Sequence, residues 1–216
     1  VLVMAPGWNQ ATLIDTGGLS DFASKEEWRR RRRKSQGVTT VIPALQAEGL
    51  SELSQVMLSH GDEDHVGNLQ AIAQQIKIKE MVIGKGMEKL PLMQQLKRDY
   101  PSIRWKLVSS GNEWKWNQMK WQILWPKYVS KGENDDSIVA LLTIQKYTVL
   151  LTGDASEKVE DNILKDTPNL HFSILKVGHH GSRTSTSEAL LQKASPSVAL
   201  VSCGKNNRYR HPSIET

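Results

Sequence analysis

Six consecutive residues, His60-Gly61-Asp62-Glu63-Asp64-His65, constrain this chain more than any other stretch. They place His60, Asp62, Asp64 and His65 at i, i+2, i+4 and i+5. On a tight connection between a strand and a helix, that spacing can aim all four side chains into one cavity. The flanks fit such a connection. Residues 55–59 form a brief apolar strand, and Val66, Leu69, Ile72 and Ile76 recur on one face at helical spacing. Carboxylates crowded together repel, and a nearby divalent cation is the usual way to offset that repulsion.

Two downstream segments repeat the logic. Leu150-Leu151-Thr152-Gly153-Asp154 and Lys176-Val177-Gly178-His179-His180-Gly181-Ser182 each set a ligand type just past the end of an apolar strand, where loops carry active sites. An isolated Asp after a strand is more often a helix cap, so the metal reading rests on the three segments together. Cys203 is the only cysteine, which excludes an internal disulfide and a cysteine-rich zinc site. Any metal is therefore held by His and carboxylates. A net charge of +5 favours an anionic partner without establishing one.

The remaining pattern is that of an α/β protein. Ala11–Ile14 reads as a strand breaking into Asp15-Thr16-Gly17-Gly18, and residues 41–47 as a short helix ended by Gly49. Residues 81–83 form a strand, and Leu92, Leu96 and Tyr100 mark a helix bounded by Pro91 and Pro101. The middle turns antiparallel: a hairpin over residues 114–125 around Asn117-Gln118, then strands at 138–144 and 147–151. A helix at 157–164, a strand at 174–177, a helix at 188–193 behind capping hydroxyls and a strand at 198–202 complete the series. Alternate burial assigns the tryptophans of the hairpin to core rather than to a stacking platform. Trp28 and the basic run Arg29-Arg30-Arg31-Arg32-Arg33-Lys34 offer phosphate neutralisation, or simply a solvated loop.

At 216 residues the chain fits one domain, 1–216. No stretch approaches the roughly 18 to 20 apolar residues of a membrane span and no basic-then-apolar leader opens it, so the chain as given is expected to be soluble. It starts abruptly inside a strand and stops at Ile214-Glu215-Thr216, as a piece of a longer protein would.

Asp15-Thr16-Gly17-Gly18, His60-x-Asp62-x-Asp64-His65-x-Gly67, Thr152-Gly153-Asp154 and His179-His180 resemble, in that order, the signature of the metallo-β-lactamase superfamily over nearly the whole chain. That resemblance implies an αββα sandwich, layered α+β, with metals at one edge. More narrowly, the segments from Ser59 to Asn68, Asn134 to Ser137, Lys176 to Ser182 and Asn207-Arg208-Tyr209-Arg210-His211-Pro212 resemble the C-terminal domain of the ComEC family of DNA-internalisation competence proteins. The chain departs from the superfamily pattern in having Asp62 at a His position and no His between His65 and His171.

What the resemblance implies is specific. One metal takes His60, Asp62 and a shared Asp154; the other takes Asp64, His65, Asp154 and either His179 or His180. The segment ending at Ser137, or water, completes the first site. Two divalent ions are implied, and oxygen-rich ligation favours Mn²⁺ with Zn²⁺ as the alternative. The implied activity is hydrolysis of DNA phosphodiester bonds, degrading one strand during natural transformation. Asp64 would orient the attacking water as well as bind metal, and Lys176, His179, His180 or His211 would meet phosphate charge or protonate the leaving oxygen. Implied partners are DNA, the membrane through the rest of the parent protein, and other competence proteins, with the domain on the extracytoplasmic face of the cytoplasmic membrane. Two alternatives stay open: an ester, thioester or lactam hydrolase on the same fold, and a noncatalytic DNA-binding module with a decayed metal site.

Overall fold

The computed structural model describes residues 1–4, 11–18, 35–116, 118–205 and 207–216. Trp28, the basic run after it and Asn117 lie outside the described residues. The chain divides into two compact units, Val1–Ile83 with Met87–Leu107, and Gly84–Gly86 with Val108–Thr216.

The first unit is built on strands β1 (Leu2–Met4), β2 (Ala11–Ile14), β4 (Gln55–Met57), β6 (Glu80–Gly84) and β7 (Arg104–Val108), in the order β1-β2-β4-β6-β7. Short β3 (Glu52–Leu53) and β5 (Lys77–Ile78) pair separately. Strands β2, β4 and β6 run parallel, which requires crossover segments between them. Every residue of β2 and β4 is buried, as in a parallel sheet covered on both faces. Helix α1 (Ile42–Ala47) precedes β4 and is followed by Gly49 at φ +72°, a left-handed position suited to glycine.

The periodicity after His60 predicts one helix; the structure has two, α2 (Glu63–Val66) and α3 (Leu69–Ala73). Val66, Leu69, Ile72 and Ile76 are nonetheless all buried. The break has a physical cause. The His65 carbonyl accepts both the backbone N–H (2.7 Å) and the hydroxyl (2.9 Å) of Thr16, while Asn68 N–H donates to Gly17 O at 3.0 Å. The Asp15–Gly18 turn thus replaces the next helical hydrogen bonds. Gly18 lies so near α2 that a Cβ there would stand 1.9 Å from Glu63 O. Helix α4 (Pro91–Asp99) begins at its predicted proline and buries Met93 and Leu96.

The second unit carries β8 (Glu113–Trp116), β9 (Met119–Trp125), β10 (Val139–Ile144), β11 (Tyr147–Leu151), β12 (Ile174–Lys176) and β13 (Val198–Leu200) as one sheet, order β13-β12-β11-β10-β9-β8. The hairpin forms as expected. On β9, buried Met119, Trp121 and Ile123 alternate with half-buried Lys120 and Gln122, and Trp121 stacks on its cross-strand partner Trp114 at 5.8 Å. Strands β8 to β11 are antiparallel; β11, β12 and β13 are parallel. Helix α5 (Glu157–Asp166) and helix α6 (Glu188–Ala194) share a core with the sheet through Val159, Ile163 and Leu190 against Leu150, Phe172 and Leu175. Buried Glu160 accepts the N–H groups of Thr186 and Ser187, both at 2.7 Å, and so fixes the approach to α6. Ser187 caps that helix by accepting from Leu190 N–H. Among the described residues, no helix is long and apolar enough to cross a membrane.

Candidate metal centre

In the first unit, the parallel register Ile14↔Met57 ends β2 and β4 side by side. The residues that follow them therefore meet. Asp15 takes a left-handed φ of 55°, and its carboxylate collects three hydrogen bonds. Oδ1 accepts Ser59 N–H at 2.7 Å; Oδ2 accepts the Ser59 hydroxyl at 2.9 Å and faces His65 Nδ1 at 2.9 Å. Burial pushes the Asp15 pKa up, but the His65 hydrogen bond and charge, Ser59 N–H and the His60 ring outweigh it and lower it to about 2. An ionised carboxylate only accepts, so His65 Nδ1 carries the proton and the ring lone pair is on Nε2.

His60 is fully buried, with Nδ1 3.0 Å from Ser59 Oγ and its ring centroid 4.1 Å from that of His65. Its Nε2 is buried without a hydrogen-bond partner, and the Asp62 carboxylate lies 3.6 Å away. A cation between these two groups would satisfy both. Asp62 occupies the N-cap of α2, yet its side chain makes no capping bond. It is therefore available as a ligand. Asp64 stands half-buried in the first turn of α2.

In the second unit, the registers Leu151↔Lys176↔Leu200 again align parallel strand ends. Asp154 is 3% exposed, and its N–H donates to Ser137 Oγ at 3.0 Å. Its Oδ2 lies 3.6 Å from His180 Nε2 and 3.8 Å from His179 Nε2. The N-cap of α5 is Ser156, so Asp154 is not a helix cap. His179, His180 and Gly181 take three successive positive φ angles, 44°, 57° and 83°, a conformation that costs about 1–3 kcal/mol at each non-glycine position. That turn directs both imidazoles toward Asp154. His180 Nδ1 donates to Ser202 O at 2.8 Å; a carbonyl only accepts, so here too the lone pair is on Nε2.

The C-terminal segment holds this turn in place. Ser213 N–H donates to Gly181 O at 2.7 Å, and a Cβ on Gly181 would stand 2.6 Å from Pro212 Cβ. The His211 ring lies 6.1 Å from that of His179, with Nδ1 buried and unpartnered. The Asn134 amide reaches His179 Nε2 at 3.5 Å.

Each unit thus gathers its own share of the residues singled out from the sequence. His60, Asp62, Asp64 and His65 cluster in the first; Asp154, His179, His180, Ser137 and His211 in the second. Lys176 differs: it is the last residue of β12, 7% exposed, and its carbonyl accepts the Thr152 hydroxyl at 3.0 Å. Sequence reasoning missed Asp15, Ser59 and Ser202 as orienting groups. Asp15 was visible as a strand-end carboxylate, but nothing local pointed it at His65. His and carboxylate donors, two of the imidazoles locked as Nε2 donors, suit a divalent metal.

Residues 1–119 match the model of the metallo-beta-lactamase superfamily, and the chain belongs to that superfamily. Its particular similarity is to ComE operon protein 3 of Bacillus subtilis (strain 168), 34% identical over 98% of this chain and 28% of that protein. Competence protein ComA of Neisseria gonorrhoeae is 32% identical over 81% of this chain and 23% of its own length. The chain spans about a quarter of the length of these curated relatives. The crystal structure of the metallo-beta-lactamase fold protein YhfI from Bacillus subtilis matches 98% of this chain and 81% of its own with a TM-score of 0.57. At 13% identity, that likeness shows the fold alone.

Proposed function

We propose that this chain is a metal-dependent phosphodiester hydrolase that cuts DNA as part of a longer competence protein. The observation that carries the reading is the locking of His65 by Asp15 and of His180 by the Ser202 carbonyl into tautomers with the lone pair on Nε2. Residues 1–216 act as one domain. By the superfamily pattern, Asp64, His65, Asp154 and His180 would be the ligands of one ion, and His60, Asp62 and Asp154 those of a second. Three carboxylates beside three imidazoles make a harder donor set than an all-nitrogen one and favour Mn²⁺ over Zn²⁺. Such ions supply Lewis-acid polarisation of the phosphate and acidify water at neutral pH.

The chain's own residues do the rest. Asp64 orients the attacking water and takes its proton. Ser137 holds Asp154 through the backbone N–H. His211, ring beside ring with His179, donates the one proton that the leaving oxygen takes, and Lys176 adds positive charge at the strand end. The net charge of +5 and the similarity to a competence protein support DNA as substrate. The parent protein is membrane-bound, with this domain on the extracytoplasmic face.

Cleavage of end-labelled single- and double-stranded DNA by wild type and Asp64→Ala, after chelation and reloading with Mn²⁺, Mg²⁺ or Zn²⁺, tests the reading. Calorimetric metal titration runs alongside. Two ions bound, with Mn²⁺-dependent cutting lost in the variant, supports it. Equal cutting by both proteins overturns it, and recovery with Zn²⁺ alone overturns the metal assignment. DNA binding without turnover on any metal identifies a noncatalytic module, and acyl-thioester turnover without DNA cleavage a thioesterase.

A further inference from the structure

Beyond the metal ligands, the second unit carries a ladder of rings and cations that packing does not explain. Tyr209 is 59% exposed, yet its ring is held in place. It stacks on His211 at 5.7 Å between centroids, with planes 16° apart. The Arg208 guanidinium lies over it at 4.7 Å and hydrogen-bonds its hydroxyl. His211 in turn neighbours His179, whose Nε2 is 3.8 Å from the Asp154 carboxylate.

The turn bearing Tyr209 is stapled at its base. Asn207 Nδ2 donates to Gly204 O (2.9 Å) and His211 O (2.7 Å), and Asn207 Oδ1 accepts His211 N–H at 2.9 Å. Lys205, Arg208 and Arg210 are exposed on the same turn, and no acidic residue lies between Val198 and Ile214. The contacts with His211 and Arg208 fix the orientation of the Tyr209 ring while leaving it 59% exposed. A preorganised ring among exposed cations is the composition that binds single-stranded nucleic acid, with bases stacking and phosphates neutralised.

We propose that Tyr209 is a stacking subsite for a nucleobase of the substrate strand, next to the nucleotide whose phosphate is cut. This rests on the phosphodiesterase reading above, and its test is made separable from it. Binding is measured by fluorescence anisotropy, with chelator present so that no chemistry intervenes, on a labelled oligothymidylate and an abasic strand of equal length.

Wild type should bind the base-bearing strand on the order of 10-fold more tightly than the abasic one. Tyr209→Ala should abolish that preference, and Tyr209→Phe should keep it, because the ring remains. Since Tyr209 is exposed, circular dichroism of both variants should match wild type. A preference that survives Tyr209→Ala, or its absence in wild type, overturns the proposal. Base preference in a protein that cleaves no DNA with any metal leaves the subsite standing and removes the nuclease reading. Where cleavage is present, Tyr209→Ala should raise KM for oligothymidylate more than it changes kcat; a fall in kcat with KM unchanged also overturns it.

Discussion

Asp15 shows how one side chain can set the chemistry of another that lies far away in sequence. Its charge fixes the His65 tautomer, and its second oxygen accepts Ser59 N–H, so a single carboxylate organises the start of the metal motif. Asp15→Asn keeps an acceptor but removes the charge. It is expected to lower metal affinity about 10- to 100-fold with little change in fold, measured by competition with a chelating dye. Ser137 acts differently. It is fully buried and satisfies the Asp154 N–H, so Ser137→Ala leaves a buried donor unpaired. That should cost about 1–3 kcal/mol in urea denaturation. The ligand types His60, Asp62, Asp64, His65, Asp154 and His179-His180 were legible because spacing and strand ends expose them in the sequence. Ser137 was named in the sequence only through the resembling segment at residues 134–137; Asp15 and Ser202 were not legible as orienting partners, since they meet His65 and His180 only across strand registers.

At the scale of elements, most strands and helices follow from periodicity, and the exceptions mark the site. The predicted helix after His60 splits because Thr16 takes the carbonyl that would have continued it. The His179–Gly181 turn is the second exception, three left-handed residues in a row. Gly181→Ala must place a Cβ against Pro212 at positive φ, and is expected to cost at least about 1 kcal/mol and to reduce any metal-dependent cleavage. Equilibrium unfolding and a single-turnover assay check this. The turn at 130–136 gives a pH-dependent outcome. Burial raises the Asp136 pKa, but hydrogen bonds from the N–H groups of Lys131, Gly132 and Ser130 and the Ser130 hydroxyl bring it below its ordinary 3.8. A depressed carboxyl pKa stabilises the folded turn above about 3.8 and loses that contribution as pH falls through the folded value. Amide exchange of Ser130, Lys131 and Gly132 should therefore accelerate, relative to the intrinsic rate, as pH drops below about 4. A protection factor that stays flat across that range would dissociate the turn from Asp136.

For the molecule as a whole, the proposed ligands fall in both compact units. A metal that binds only the folded state stabilises it by about 2.7 kcal/mol at 100 times its Kd. Loading with Mn²⁺ is accordingly expected to raise the melting temperature and to slow hydrogen exchange both around residues 62–68 and around 178–182. Protection confined to one of these segments would reject the proposal that both hold metal. Residue types and their spacing carried the candidate ligand set and the order of strands and helices. These depend on side-chain type and on periods of two or 3.6 residues, which are local quantities. Which ring nitrogen His65 and His180 present is set by tertiary contacts, because it depends on hydrogen bonds spanning 50 residues for His65 and 22 for His180. Those bonds exist because parallel registers bring Ile14 beside Met57, and Lys176 beside both Leu151 and Leu200. No window of the His60–His65 motif contains that information.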